Sequence, residues 1–240
     1  MTIRRICLMG DSQLGALKMG WRSVAQQFPE IEITFFAGQN ADWSGIQIVD
    51  GRLAPGSEKL REAFKRSTRG LEEIDASYDA YVLCGFKLVI SYPLRLWTYH
   101  EQADWNAYQT AVSHYVRNTL FAKVLAKLRK ITDAPVIMLA GPHQPNAYCK
   151  ASPLLDNEMA AKLNANFIRE CESLAAAHNA RLITQSEETL APNGVTTQMK
   201  FAYVPTDPDR LDFRHCNAEY GAIAMPHILK TGLGIEPLAD

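Results

Sequence analysis

Residues 4–13 read Arg-Arg-Ile-Cys-Leu-Met-Gly-Asp-Ser-Gln. The apolar part of this stretch predicts a short buried β-strand, Arg4–Met9, from which the chain leaves through Gly10. A helical pattern follows at once over Leu14–Gln27, because apolar residues recur there at spacings of three and four. This part of the chain is therefore predicted to form a strand, a tight turn and a helix.

The same alternation continues along the rest of the sequence. Further strands are predicted at Ile31–Ala37, Ala80–Cys84, Pro135–Leu139 and Arg181–Thr184. Further helices are predicted at Ser57–Ile74, Asp104–Lys130, Ser152–Asn179 and Asn217–Lys230, with a small hairpin at Ile46–Leu53. Strands that alternate with helices imply a parallel sheet with helices on both faces, an α/β fold. No linker or repeat divides residues 1–240, so we expect a single domain.

Composition limits the class of protein. The chain has 240 residues, of which 47% are hydrophobic and 21% charged, as in a globular domain that needs no disulfide or metal to complete its core. The formal net charge is -1 and the charges are mixed, which gives nucleic acid or an anionic membrane no basic surface to bind. No segment reaches the roughly 18–20 apolar residues that a membrane helix needs. We expect no nucleic-acid or membrane partner, and the sequence leaves the oligomeric state open.

Cysteine and histidine usage points to a protein without a metal. The five cysteines are scattered and form no C-x-x-C pair, which is typical of free thiols in a reducing compartment. The six histidines show no H-x-x-x-H or H-E-x-x-H spacing. The N-terminus lacks the long apolar stretch of a signal peptide. We therefore expect a cytoplasmic protein with no metal or other cofactor.

Four of the predicted strands end in a glycine that polar residues follow. These exits are Gly10-Asp11-Ser12, Gly38-Gln39-Asn40, Gly85-Phe86-Lys87 and Gly141-Pro142-His143. In open parallel sheets, ligands bind beyond the carboxyl ends of the strands. We therefore expect the four exits to meet on one rim, with Gln13 and His143 as candidates for contact with a substrate.

Ser12 is a candidate nucleophile for which the chain provides a base. The backbone N–H groups of Ser12 and Gln13 lie at a helix start, where unpaired donors stabilise a developing oxyanion. A serine hydroxyl is a weak nucleophile until a base takes its proton, and His215 stands just before the last predicted helix. Asp212 lies three residues earlier, a spacing that lets its carboxylate reach Nδ1 of the imidazole and leaves Nε2 for Ser12.

These residues resemble a known family. Gly-Asp-Ser-Gln at 10–13, after the first strand, and Asp212-x-x-His215 near the end of the chain are similar to the motifs of the SGNH (GDSL-type) hydrolases. His-x-Asn at 215–217 and Tyr-Gly at 220–221 fit the last motif of that family. The resemblance covers nearly the whole chain. It implies a flavodoxin-like three-layer α/β/α sandwich with a five-stranded parallel sheet.

The resemblance also implies roles for site residues. Ser12 would be the nucleophile, and its own N–H, that of Gly38 and the block beginning at Gly85 would form the oxyanion hole. The family block is usually Gly-x-Asn-Asp, whereas this chain has Lys87 in the place of the asparagine. A lysine ammonium there would hold an oxyanion, bind an acidic group of the substrate, or point away.

The leading hypothesis is a serine esterase that acts on a small-molecule or glycan ester through an acyl-Ser12 intermediate. The resemblance suggests carbohydrate O-acetyl esters as one substrate class. The same intermediate serves an acyltransferase, for which a lid over the site would exclude water; the long irregular stretch Ser186–Arg214 is the candidate lid. A non-catalytic binding module and a flavodoxin-like nucleotide binder remain as alternatives from other classes.

Overall fold

The computed structural model describes residues 2–99, 104–145, 155–204 and 215–238. A five-stranded sheet forms its centre. The seven strands are β1 (Arg5–Gly10), β2 (Glu32–Ala37), β3 (Gln47–Val49), β4 (Arg52–Ala54), β5 (Ala80–Cys84), β6 (Val136–Ala140) and β7 (Arg181–Thr184). The sheet order is β2-β1-β5-β6-β7, and every neighbouring pair is parallel. This is the flavodoxin-like order, so the predicted fold class is confirmed.

Helices cover both faces of the sheet. They are α1 (Leu14–Val24), α2 (Asn40–Trp43), α3 (Glu58–Thr68), α4 (Ser91–Tyr99), α5 (Trp105–Asn118), α6 (Leu120–Leu128), α7 (Asn157–Ala177) and α8 (Ala218–His227). None of these helices is long and apolar enough to cross a membrane. The expected cytoplasmic location stays a prediction.

Two cores lie on opposite faces of the sheet because successive residues of a strand point in opposite directions. Leu8 of β1 packs into one core with Leu17 of α1 and Tyr220 of α8. Met9, the next residue, packs into the other core with Phe167 of α7 and with residues of α3, α5 and α6. The molecule therefore has three layers, with α1 and α8 together on one side.

The predicted helix Asp104–Lys130 is interrupted in the structure. Thr119 has an extended backbone, with ψ of 159°, and separates α5 from α6. Its hydroxyl donates to Val116 O at 2.9 Å and accepts from Ala122 N at 3.2 Å. A threonine side chain that satisfies backbone groups in this way ends one helix and starts the next, which the helical periodicity of the sequence does not reveal.

Other element boundaries also differ from those predicted. α3 ends at Thr68 rather than Ile74, because Arg69 adopts a left-handed conformation that terminates the helix. The short helices α2 and α4 were not predicted. The start predicted for α7 at Ser152 lies outside the described residues, and the described helix begins after Asp156, whose carboxylate accepts from Met159 N at 2.7 Å.

The hairpin and the last helix match the sequence more closely. β3 and β4 pair around Asp50 and Gly51, which both have positive φ as a type I′ turn requires. α8 starts at the predicted place, since the Asn217 side chain accepts from Tyr220 N at 3.1 Å. Beyond His227 the chain continues as one π-helical turn, Ile228–Gly232.

The backbones of α1 and α8 touch where Gly20 meets Gly221. A Cβ atom on Gly221 would lie 1.9 Å from Ala16 O, and one on Gly20 would lie 2.0 Å from Gly221 C. No side chain fits at either position. Because Ser12 precedes α1 and His215 precedes α8, this contact sets the distance between the two predicted catalytic residues.

We expect Gly221→Ala to lower the free energy of unfolding by at least about 2 kcal/mol, since the new methyl group meets backbone atoms that cannot rotate away. Gly15→Ala is the matched control: it lies in α1, and a Cβ there meets nothing within 4 Å. The control should be stabilised by up to about 1 kcal/mol, because alanine favours helix. Urea unfolding followed by circular dichroism measures both, and equal effects would contradict the close helix contact.

Candidate active site

Ser12 and His215 meet at the carboxyl edge of the sheet. Ser12 Oγ and His215 Nε2 lie 2.7 Å apart although the residues are 203 positions apart in the sequence. Ser12 is exposed and His215 is half-buried. With the imidazole proton on Nδ1, the hydroxyl donates to Nε2, which is the arrangement that a base-activated serine needs.

The segment that carries His215 is held on both sides. Tyr203 N donates to His215 O at 2.8 Å, and Asn217 N donates to Phe201 O at 2.9 Å. These bonds fix the backbone on either side of the imidazole before α8 begins. Asp212 lies outside the described residues, so its pairing with His215 stays a prediction.

Asp11 is the centre of the loops around Ser12. Its side chain is buried, and its carboxylate accepts from Gln13 N at 3.0 Å, from Asn40 Nδ2 at 2.8 Å and from Phe86 N at 2.9 Å. One donor follows each of β1, β2 and β5: Gln13 and Phe86 lie in loops, and Asn40 is the first residue of α2. One buried carboxylate thus ties three strand exits together.

Gly85 makes room for this carboxylate. Its φ is +82°, and a Cβ on it would lie 2.3 Å from Asp11 Oδ1. Glycine is required at this position both by the backbone conformation and by the close approach of Asp11. In the structure, the missing side chain at Gly85 lets the Asp11 carboxylate reach the loop after β5.

The loop after β2 is fixed against β1 through one carbonyl. Gly10 O accepts from Gly38 N at 3.2 Å and from the indole Nε1 of the buried Trp43 at 3.0 Å. The loop after β2 and the short helix α2, which carries Asn40, therefore have a defined position against β1.

Comparison with solved structures identifies the fold that carries this geometry. No family model and no curated protein sequence matches the chain. Among solved structures, an extracellular lipase of Streptomyces rimosus is similar with a TM-score of 0.51 and 14% identity, over 95% of this chain and 99% of that one. The chain has an SGNH-type hydrolase fold.

Two further structures resemble this SGNH-type fold more distantly. A Bacteroides fragilis protein described as an acylhydrolase has a TM-score of 0.45 and 9% identity, over 95% of this chain and 86% of its own. The periplasmic domain of a lipopolysaccharide acetyltransferase from Salmonella Paratyphi A has a TM-score of 0.46 and 12% identity, over 97% and 83%.

The structure corrects the expected set of oxyanion donors. The N–H of Gln13 is not unpaired, because it donates to Asp11, and the N–H of Gly38 donates to Gly10 O. The Ser12 N–H makes no hydrogen bond to any residue in the described ranges. Of these three predicted donors, Ser12 N–H is the one left to face an oxyanion.

Lys87 lies beside a different cleft from the one that Ser12 lines. Its side chain is exposed, and it lines a cavity of about 1070 Å³ together with Asn40. The Ser12 cleft has about 350 Å³ and is lined by Gly38, Lys59 and Arg66 among others, without Lys87. Lys87 therefore lines a cavity other than the Ser12 cleft, and its role towards an oxyanion stays a prediction.

Sequence reasoning missed Asp11 and Asn40 as positioning residues. An acid between Gly10 and Ser12, at a point where the chain turns out of a buried strand, is the signal for Asp11. The sequence shows Asn40 only as one of several polar residues that follow a strand. Its pairing with Asp11, 29 residues earlier, depends on the sheet order.

Two residues with reactive side chains are buried. The imidazole of His143 is buried rather than exposed on the rim, and burial lowers its pKa to about 4. Cys216, the neighbour of His215, is a buried thiol, and burial raises its pKa to about 12. Among the residues that the structure describes, no three His, Cys, Asp or Glu side chains converge as a metal site requires.

We expect Asp11→Asn to lower the free energy of unfolding by roughly 2–3 kcal/mol, because an amide NH₂ would face N–H donors and a charge-assisted bond would be lost. Asp133→Asn is the control, since Asp133 is exposed and makes no hydrogen bond in the described structure. Guanidinium unfolding of both variants tests this. A loss in Asp11→Asn no larger than in the control would rule out the carboxylate as the tie between the loops.

Burial of His143 predicts acid sensitivity. Its pKa is about 4 in the folded chain against 6.5 as the ordinary value, so the unfolded chain binds more protons and stability falls as the pH drops from about 6.5 to 4. The loss amounts to about 3 kcal/mol, and His143→Leu should remove it. The control His178→Gln should keep the wild-type slope. Unfolding free energies measured at several pH values decide the point.

Proposed function

We propose that the protein is a serine esterase that cleaves a small-molecule or glycan ester through an acyl-Ser12 intermediate. The observation that carries this proposal is the 2.7 Å separation of Ser12 Oγ and His215 Nε2 in an SGNH-type fold. The similarity in fold to a protein named as a lipase agrees with ester chemistry.

In the first half of the proposed reaction, Ser12 Oγ attacks the acyl carbon while its proton passes to His215 Nε2. The carbonyl oxygen becomes an oxyanion, towards which the Ser12 N–H donates. The bond to the leaving alcohol then breaks, and His215 gives the proton to the alcohol oxygen. Asp212 would hold the Nδ1 proton of the imidazole throughout.

In the second half, a water molecule attacks the acyl-Ser12 carbon and gives its proton to His215. The bond to Ser12 Oγ breaks, the carboxylic acid leaves, and the proton returns to Ser12. An alcohol in place of water gives an ester as product by the same steps. Acyl transfer is therefore the alternative outcome of one intermediate.

The walls of the Ser12 cleft favour a short acyl group. Lys59 and Asp42 form an ion pair there at 3.3 Å, and Arg66 also lines the cleft. A long acyl chain against these walls would desolvate charged groups without apolar contact in return. An acetyl ester is therefore the substrate with which the proposal is best tested.

We expect Ser12→Ala and His215→Ala each to lower kcat for 4-nitrophenyl acetate by about 10³-fold or more, as for other nucleophile–base pairs that act as a unit. Ser173→Ala is the control, since Ser173 is an exposed serine of α7. A fluorophosphonate probe should label the wild type and the control but not Ser12→Ala.

Equal rates in the wild type and in both site variants would rule out the serine mechanism. No labelling and no hydrolysis by the wild type would favour a binding module on the same fold. If an added alcohol gives a new ester and less free acetate is released, the protein is a transferase instead.

A further inference from the structure

The large cleft next to Asn40 has a positive lining. It has a volume of about 1070 Å³ and lies between α2, the loop after β5, and α5 with the start of α6. Lys87, Lys123 and His114 line it, and none of the described residues that line it is aspartate or glutamate. Both lysines are exposed, and neither forms an ion pair in the part of the chain that the structure describes. Their combined field attracts anions.

One face of α5 forms a wall of the cleft. Positions 107, 110, 111, 114 and 118 recur at helical spacing and carry small or polar side chains that line the cleft. The opposite face, with Tyr108, Val112 and Val116, is buried in the core. The helix is thus anchored on one side and presents a wall of small and polar side chains on the other.

A pair of stacked tyrosines lines the cleft next to Lys87. Tyr92 stacks on Tyr115 with ring centroids 4.2 Å apart, and Tyr92 is 40% exposed. The Tyr115 hydroxyl donates to Lys87 O and accepts from Val89 N at 3.4 Å. These bonds hold the Lys87 backbone in its left-handed conformation, with φ of 63°, while the ammonium stays in solvent.

Asn40 connects the cleft to the Ser12 site. Its Nδ2 donates to Asp11, the neighbour of Ser12, and this bond fixes which way the amide faces. Its Oδ1 is buried and has no hydrogen-bond partner in the described structure. Because Oδ1 is closed to solvent, Asn40 relates this end of the cleft to the Ser12 loop and does not itself contact a ligand.

We propose that this cleft binds the part of the substrate beyond the ester, and that this part is a hydroxylated ring bearing a carboxylate or a phosphate. Lys87 and Lys123 would hold the anionic group, and Tyr92 would stack on the ring. The exposed side chains of Thr110 and Asn118, which line the cleft, would hydrogen-bond to its hydroxyls. The inference rests on the proposed esterase function for the position of the ester. It gives the lysine that replaces the family asparagine a role in binding rather than in catalysis.

Titration calorimetry on Ser12→Ala tests the cleft without any turnover. The probes are glucose 6-phosphate, glucuronate and neutral glucose, and comparison of the first two separates phosphate from carboxylate. At least one charged sugar should bind about tenfold more tightly than glucose, as one well-placed charge contact provides. Added salt should weaken the charged ligand and leave glucose unaffected.

Lys87→Gln and Lys123→Gln, each combined with Ser12→Ala, should weaken the charged sugar by about five- to tenfold. Lys130→Gln is the matched control, an exposed lysine that follows α6 and lies outside the cleft. Circular dichroism confirms that each variant is folded.

Equal affinities for charged and neutral sugars, no binding of either charged sugar, or lysine variants that behave like the control would each overturn the inference. Because Ser12 is absent from every protein in this experiment, its result is independent of whether Ser12 hydrolyses esters. Binding that holds in a protein with no serine-dependent hydrolysis would remove the proposed function and keep the anionic ligand.

Discussion

The contact between Gly20 and Gly221 is the constraint on which the site depends. A hydrogen bond of 2.7 Å between Ser12 and His215 tolerates a displacement of only a few tenths of an ångström, and these residues sit at the starts of two different helices. With a side chain at the crossing, α1 and α8 would move apart and carry the two groups with them. The position of the imidazole thus depends on backbone packing within a core, together with the backbone bonds that Tyr203 and Asn217 make beside it.

Asp11 imposes a second condition on the same edge of the sheet. A buried carboxylate requires several donors, and it obtains them from Gln13, Asn40 and Phe86. The backbone donors that it uses are no longer available to an oxyanion, and its negative charge lies next to the place where a second negative charge would develop. The same hydrogen bonds that position the loops around Ser12 therefore reduce the number of backbone donors left near its hydroxyl.

The sequence was sufficient for the sheet and for the long helices on its faces, because buried strands and amphipathic helices have periods that a single chain displays. The meeting of Ser12 with His215 was expected on other grounds, from the chemistry of a serine and its base and from the resemblance of their motifs. It was insufficient wherever a hydrogen-bond partner came from a distant segment. Helical periodicity also does not reveal the local bonds that break the helix at Thr119 and join Gln13 N to Asp11. The acceptor of the Gly38 N–H and the burial of His143 depend on which loops become neighbours. Lys87 is the clearest example: its place in a motif suggested the oxyanion hole, and its left-handed backbone, fixed by Tyr115, puts it beside another cleft.

The 203 positions that separate Ser12 from His215 have a consequence for biosynthesis. A ribosome releases the first strand and α1 long before it releases α8, so the part of α1 that packs on α8 has no partner during most of translation. Until α8 emerges, that surface is open to chaperones, and the hydroxyl of Ser12 has no imidazole beside it. Ser12 and His215 therefore meet only after α8 has docked on α1.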